Sequence, residues 1–169
     1  MTLAGDPCPT YTVCIVLPLA WSEMSYISEG QMESAAQETR RMASRMKLLI
    51  IDDRETVRQA LEARLRHAPE FEIVGGTGSS EEGVRAALEL APDVVLLEIK
   101  MADGKGLDTC RRITQSDSHP VVIILTSYVD EAERQAAFQA GASSYVLKDI
   151  DSQRLIRAIK AAHVNYCRV

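Results

Sequence analysis

The 169-residue chain lacks the features that mark most specialised protein classes. No apolar run approaches the roughly 20 residues that a membrane-spanning helix needs, so no span is expected. The four cysteines (Cys8, Cys14, Cys110, Cys167) form no CxxC pair. His67, His119 and His163 lie far apart, and none stands at ligand spacing from a cysteine or carboxylate, so no zinc site is expected. That pattern fits free thiols in a cytoplasmic protein, with Cys110 packing as a small hydrophobe on a helix. Positive charge is in deficit: 19 Lys and Arg against 24 Asp and Glu leave a net charge of −5, which argues against a nucleic-acid-binding face. A phosphate-cradling glycine loop is also missing. Asp52, Asp53 and Glu55 stand where such a loop would follow the first strand, and they would repel the phosphates of FMN or NAD. Gly75-Gly76-Thr77-Gly78 has neither a lysine nor GxGxxG spacing and reads as a connecting loop.

Residues 1–46 differ from the rest, with three of the six prolines, two of the four cysteines and the only tryptophan, Trp21. Their apolar patch, Thr12–Trp21, has no basic residue ahead of it and is broken by Pro18, so it is a poor secretion signal. Ser28–Arg45 has a helix-forming composition but a thin apolar face. An N-terminal extension, mobile or partly helical, is expected here, with one folded domain over 47–169.

From Lys47 the pattern becomes regular. Lys47–Ile51, Asp93–Leu97 and Val121–Leu125 are short apolar runs suited to buried strands, and Glu70–Val74 and Ser144–Leu147 complete a set of five. Helical spacing follows each of them. Val57, Leu61 and Leu65 mark the first helix, and Val84, Leu88 and Ala91 are expected to face inward on the second. Leu107–Gln115 forms the third. Ala132, Ala136 and Ala140 line the fourth, which Gly141 stops. Leu155, Ile159 and Ala162 mark the last, capped by Asp151 or Ser152. Pro69, Pro92 and Pro120 each stand just before a strand. Five alternating β–α units imply an α/β fold: a doubly wound, five-stranded parallel sheet of flavodoxin-like order 2-1-3-4-5.

Ligands bind such sheets outside the carboxyl ends of the strands. Those ends carry Asp52 and Asp53 after strand one, Glu98 after strand three, Thr126 after strand four and Lys148 after strand five. Three crowded carboxylates repel one another unless a cation or proton intervenes. Hard oxygen ligands suit Mg²⁺, and Thr126 and Lys148 suit the remaining oxygens of a phosphoryl group. Taken singly, each residue has an ordinary role as a helix cap or a solvated strand end; their convergence on one rim argues for chemistry.

Residues 47–165 resemble the receiver domain of bacterial two-component response regulators. The matching pieces are LLIIDD, DVVLLEIKMADG, VVIILTSY and GASSYVLKD, and the last two are most similar to the NarL/LuxR-type subfamily. The resemblance implies a phosphoacceptor position at Glu98, fed by a sensor histidine kinase. It implies Mg²⁺ held by Asp53, Asp52, Glu98 and the backbone carbonyl of Lys100. Thr126 would bond a phosphoryl oxygen and Lys148 another, and Tyr145 would be the aromatic switch that follows Thr126. Homodimerisation through the fourth helix, fifth strand and fifth helix is a further implication.

Three departures qualify this picture. Glu98 replaces the acceptor Asp and carries its carboxylate one methylene further. Misplacement by about 1 Å can cost on the order of 10²-fold in rate where in-line geometry matters. Ala102 stands where the family usually has proline. The sequence ends soon after the fifth helix, so the subfamily's helix-turn-helix module, and direct contact with nucleic acid, are not expected from it. The expected function is a receiver module whose switch is phosphorylation-independent or constitutively biased. The alternatives are an ordinary phosphorylatable response regulator controlling transcription and, from Asp53-Arg54-Glu55, a haloacid-dehalogenase-like phosphatase.

Overall fold

The computed structural model describes residues 45–166. The expected extension over 1–46 falls almost wholly outside the described residues. Five parallel strands form one sheet in the order β2-β1-β3-β4-β5: β1 Met46–Ile51, β2 Phe71–Thr77, β3 Val94–Leu97, β4 Val121–Thr126 and β5 Ser144–Leu147. The helices between and after them are α1 Glu55–Arg66, α2 Ser80–Leu90, α3 Gly106–Thr114, α4 Glu131–Gln139 and α5 Ser152–Tyr166. This is the doubly wound, flavodoxin-like arrangement the alternation implied. Among the described residues no helix is long and apolar enough to cross a membrane.

The strand sequences explain the two-sided burial. β1, β3 and β4 are almost continuously apolar because helices cover both faces of a parallel sheet. Side chains alternate between those faces. Leu49, Ile51, Val95, Leu97, Val122 and Ile124 pack with Val84, Ala87, Cys110, Ile113 and Ala137 from α2, α3 and α4. Leu48, Ile50, Val94, Leu96, Ile123 and Leu125 pack with Leu61 and Leu65 of α1 and Leu155 and Ile159 of α5. Burial of each such side chain contributes roughly 1.5–3 kcal/mol before chain entropy is set against it.

Local signals end the elements where the sequence places them. The Ser79 side chain accepts from Glu82 N at the start of α2, Asp130 from Glu133 N at α4 and Asp151 from Arg154 N at α5. Gly141, at φ +98°, follows the α4 cap, and a Cβ there would meet Thr114 Oγ1 at 2.7 Å. Cys110 is fully buried on α3, and burial pushes its thiol up to about 11.

Three expectations need correction. β2 runs on through Gly75, Gly76 and Thr77, which were expected to form a loop. The register with β1 shifts from Leu48↔Ile73 to Leu49↔Gly75, so a bulge at Val74 breaks the alternation while the pairing continues. On α2 the buried face is Ser80, Gly83, Val84 and Ala87, whereas Leu88 is exposed and Ala91, also exposed, caps the helix with φ 42°. Gly83 sets that rotation: a Cβ there would lie 2.7 Å from Ile51 Cδ1, so the helix is seated on its glycine. On α4 the buried positions are Ala137 and the capping Ala140, with Ala136 half-buried and Ala132 exposed.

Candidate functional site

The rim of the sheet is built by backbone pairing that continues past the strand ends. Asp52 N donates to Thr77 O at 3.0 Å, Glu98 N to Ile51 O at 2.8 Å and Lys148 N to Thr126 O at 2.8 Å. These bonds set the residues just beyond β1, β3 and β5 against their neighbours, beside the point where the strand order reverses between β1 and β3.

Three of the expected residues meet directly. Lys148 Nζ donates to Asp52 Oδ2, and to Glu98 Oε2 at 2.5 Å. Asp52 and Glu98 are nearly inaccessible, at 1% and 3% exposure, and buried carboxylates require such partners. Their other oxygens are also engaged. Asp52 Oδ1 accepts from Arg54 N at 3.0 Å, and Glu98 Oε1 from Lys100 N at 2.8 Å. Lys100 thus approaches Glu98 through its amide.

Asp53 lies to one side. Its Oδ2 accepts from Ala102 N at 2.8 Å, a bond that a proline at this position could not donate. Among the described residues no group of three or more His, Cys, Asp or Glu side chains is gathered to hold an ion. The donor chemistry of Asp52, Asp53 and Glu98 suits Mg²⁺, and in this arrangement Asp52 and Glu98 are paired with the cations of Lys148 and Arg54.

Thr126 is fully buried and its hydroxyl donates to Tyr128 O at 3.2 Å. The Tyr145 ring packs against the core face that carries Leu97 and Ile124, and its hydroxyl donates to Glu133 Oε1 at 2.8 Å. Burial first, and then that bond to a carboxylate, raise the Tyr145 phenol above its ordinary value.

Several side-chain contacts were not anticipated from the sequence. The Arg54 guanidinium lies 3.5 Å from Glu98 Oε2 and 3.8 Å from Asp52 Oδ1, and Nη2 donates to Ser127 Oγ at 3.0 Å. Its place directly after the Asp pair was the available signal. Arg64, from α1, donates to Lys148 O, Ile150 O and Ser152 Oγ and so holds the segment that carries Lys148. Lys100 Nζ sits 3.9 Å from the Tyr128 ring centroid and 3.1 Å from Glu133 Oε2. The contacts with Tyr128 and then Glu133 hold its ammonium above the ordinary lysine value. Nothing in the spacing of Lys100, Tyr128 and Glu133 announces that they meet.

Residues 48–160 match the family model of the response regulator receiver domain. The chain belongs to that family. Similar curated proteins include the transcriptional regulatory protein LiaR of Bacillus subtilis, 38% identical over 117 residues that cover 69% of this chain and 56% of LiaR. The DNA-binding transcriptional activator DevR/DosR of Mycobacterium tuberculosis is 37% identical over 115 residues, covering 68% of this chain and 53% of that protein. The chain therefore spans about half the length of these relatives. Among solved structures, a LuxR-family two-component response regulator from Aurantimonas superposes with a TM-score of 0.68 at 29% identity, over 72% of this chain and 87% of that one. The rim read from the strand ends lies on this receiver fold, and the relatives are named as transcriptional regulators.

Proposed function

We propose that this receiver is an atypical switch of two-component signalling, in which Glu98 occupies the phosphoacceptor position without being an efficient acceptor. One observation carries the reading. Both oxygens of Glu98 are already engaged, Oε2 by Lys148 at 2.5 Å and Oε1 by the Lys100 amide at 2.8 Å. In the receiver scheme Lys148 meets a phosphoryl oxygen; here the longer glutamate brings its own oxygen to that ammonium. The charge is a partial mimic, since a carboxylate carries one negative charge and a phosphoryl group nearly two. It biases the switch by its differential interaction with the active arrangement. The packing of Tyr145 against the core supports such a bias, with Thr126 and Tyr145 as the switch pair.

Mg²⁺, if bound by Asp52, Asp53, Glu98 and the Lys100 carbonyl, competes with Lys148 for Asp52 and Glu98, while Asp53 can offer the oxygen that does not accept from Ala102 N. The upstream partner of the reading is a sensor histidine kinase, and transcription, the role named for LiaR and DevR/DosR, is the output we propose. Self-association through α4, β5 and α5 belongs to the same reading, supported by the exposed Phe138 on α4. A signalling role is preferred over phosphatase chemistry at Asp53, because Arg54, the middle residue of the D-x-E run, turns onto the site carboxylates.

The test is direct. The full chain is incubated with a small acyl phosphate or phosphoramidate and Mg²⁺, and its intact mass is measured. No phosphoryl gain is expected. A stoichiometric, acid-stable but base-labile gain on Glu98 would refute the reading in favour of an ordinary phosphorylatable regulator.

A further inference from the structure

Arg54 has no place among the receiver residues named above, yet its half-exposed guanidinium lies against the site carboxylates. It reaches Glu98 Oε2 (3.5 Å), Asp52 Oδ1 (3.8 Å) and Ser127 Oγ (3.0 Å), so it spans the rims of β1, β3 and β4. Lys148 brings a second positive charge to the same two carboxylates. Against Asp52, Asp53 and Glu98, these two cations reduce the formal charge of the rim from −3 to −1. The third carboxylate, Asp53, is meanwhile held by the Ala102 amide.

We propose that Arg54 is the resident cation of this site, standing beside Asp52 and Glu98 where a divalent ion would need to coordinate, and that it makes the receiver's folded site independent of Mg²⁺. The inference deepens the reading of a phosphorylation-independent switch, but it concerns metal exclusion alone. Mg²⁺ demands near-ideal octahedral oxygen ligation at about 2.0–2.1 Å and gives up water reluctantly. It cannot share Glu98 Oε2 with an ammonium at 2.5 Å and a guanidinium at 3.5 Å. A lysine could lose its proton to relieve the crowding, but arginine stays charged at every accessible pH. The fork geometry suits the role as well, since a planar guanidinium can face two carboxylates and a hydroxyl together. Ser127, next to Thr126, is the anchor that keeps the fork pointed inward. The Arg54 side chain is half-exposed, so its truncation opens no cavity in the core.

The test compares Mg²⁺ binding by calorimetric titration of the full wild-type chain, Arg54→Ala and the Arg54→Ala/Glu98→Gln pair. Wild type is expected to show no saturable binding at low millimolar Mg²⁺. Removing one like charge 3.5–3.8 Å from the carboxylates should strengthen binding by about tenfold or more, the low end of what a neighbouring charge does to an ionisable site. The added Glu98→Gln change should cancel that gain. Paramagnetic broadening by Mn²⁺ locates the ion, and in Arg54→Ala it should centre on residues 52–54 and 98–100. Equal affinity in wild type and Arg54→Ala, whether both tight or both undetectable, overturns the proposal, and so does broadening elsewhere. These outcomes are separate from the phosphodonor experiment: phosphorylation of wild-type Glu98 would remove the proposed function but leave the difference in metal affinity to be read on its own.

Discussion

Replacing Lys148 with methionine probes the site where its charges are most tightly balanced. The change removes the ammonium that bonds both Asp52 and Glu98, while the thioether fills most of the stem's volume. Both carboxylates are at least 97% buried, so the loss strands two charges in a poorly hydrated place. Breaking a buried ion pair on one side typically costs 3–5 kcal/mol. The low end applies, because Arg54 remains 3.5 Å from Glu98 and backbone amides still reach both carboxylates. An unfolding entropy of about 2.1 cal/mol/K per residue over about 120 residues is roughly 0.25 kcal/mol/K, so about 3 kcal/mol lowers Tm by about 12 °C. Circular dichroism melts at neutral pH without divalent ions measure it. Adding Glu98→Gln should recover part of the loss, because one stranded charge is gone; the pair is then coupled, not additive. A fall of less than about 3 °C, or a double variant no more stable than Lys148→Met alone, would show that the Lys148 pairing is not what makes these buried charges tolerable.

Three further substitutions follow from the fold. At Gly106 a Cβ would lie 2.1 Å from the backbone oxygen of Ile99, so Gly106→Ala should cost about 3 kcal/mol, read as a lower urea midpoint. Gly104→Ala meets nothing within 4 Å and should cost only the strain of φ +69°, about 1 kcal/mol; an unchanged midpoint for Gly106→Ala contradicts the packing at the start of α3. The bond from Lys160 holds the Glu70 carboxyl below its ordinary value of 4.5, with the residue's own backbone amide helping. A lowered folded value means the contribution is present above the unfolded value and fades as pH falls through the folded one. The Tm difference between wild type and Glu70→Gln should therefore be present near pH 6 and shrink as pH falls below the ordinary carboxyl value of 4.5; a difference that does not shrink in acid would refute the pairing.

What could be read from the sequence followed the strength of the local signal. Fully apolar runs such as Val94–Leu97 and Val121–Leu125 admit one environment, a strand covered on both faces, and the five alternating β–α units then implied the sheet order. The rim could be read for the same reason, since the runs of β1, β3, β4 and β5 each stop at a polar residue. β2 was misjudged at its carboxyl end because glycine carries no side-chain pattern: Gly75 and Gly76 pair in the ladder, yet read as a turn. On α2 and α4 the alanine- and leucine-based faces were ambiguous by about one position in the helical turn. There Gly83, chosen for closeness to Ile51, decided the rotation, not hydrophobicity. Arg54 escaped notice because arginine after a strand is ordinarily a solvated helix start, and only three-dimensional proximity to Glu98 and Ser127 changes that.

Lys100 links the Glu98 rim to Tyr145 by way of Glu133. Its amide bonds Glu98 and its ammonium bonds Glu133, the same carboxylate that holds the Tyr145 hydroxyl. Binding free energies are reciprocal: whatever the charge on Glu98 contributes to docking Tyr145 and α4, a molecule bound at α4 and β5 returns to Glu98 in equal measure, typically 1–3 kcal/mol for such couplings. On the proposed reading, in which Glu98 stays unmodified, a molecule bound at α4 and β5 would set the state of the rim as well as read it.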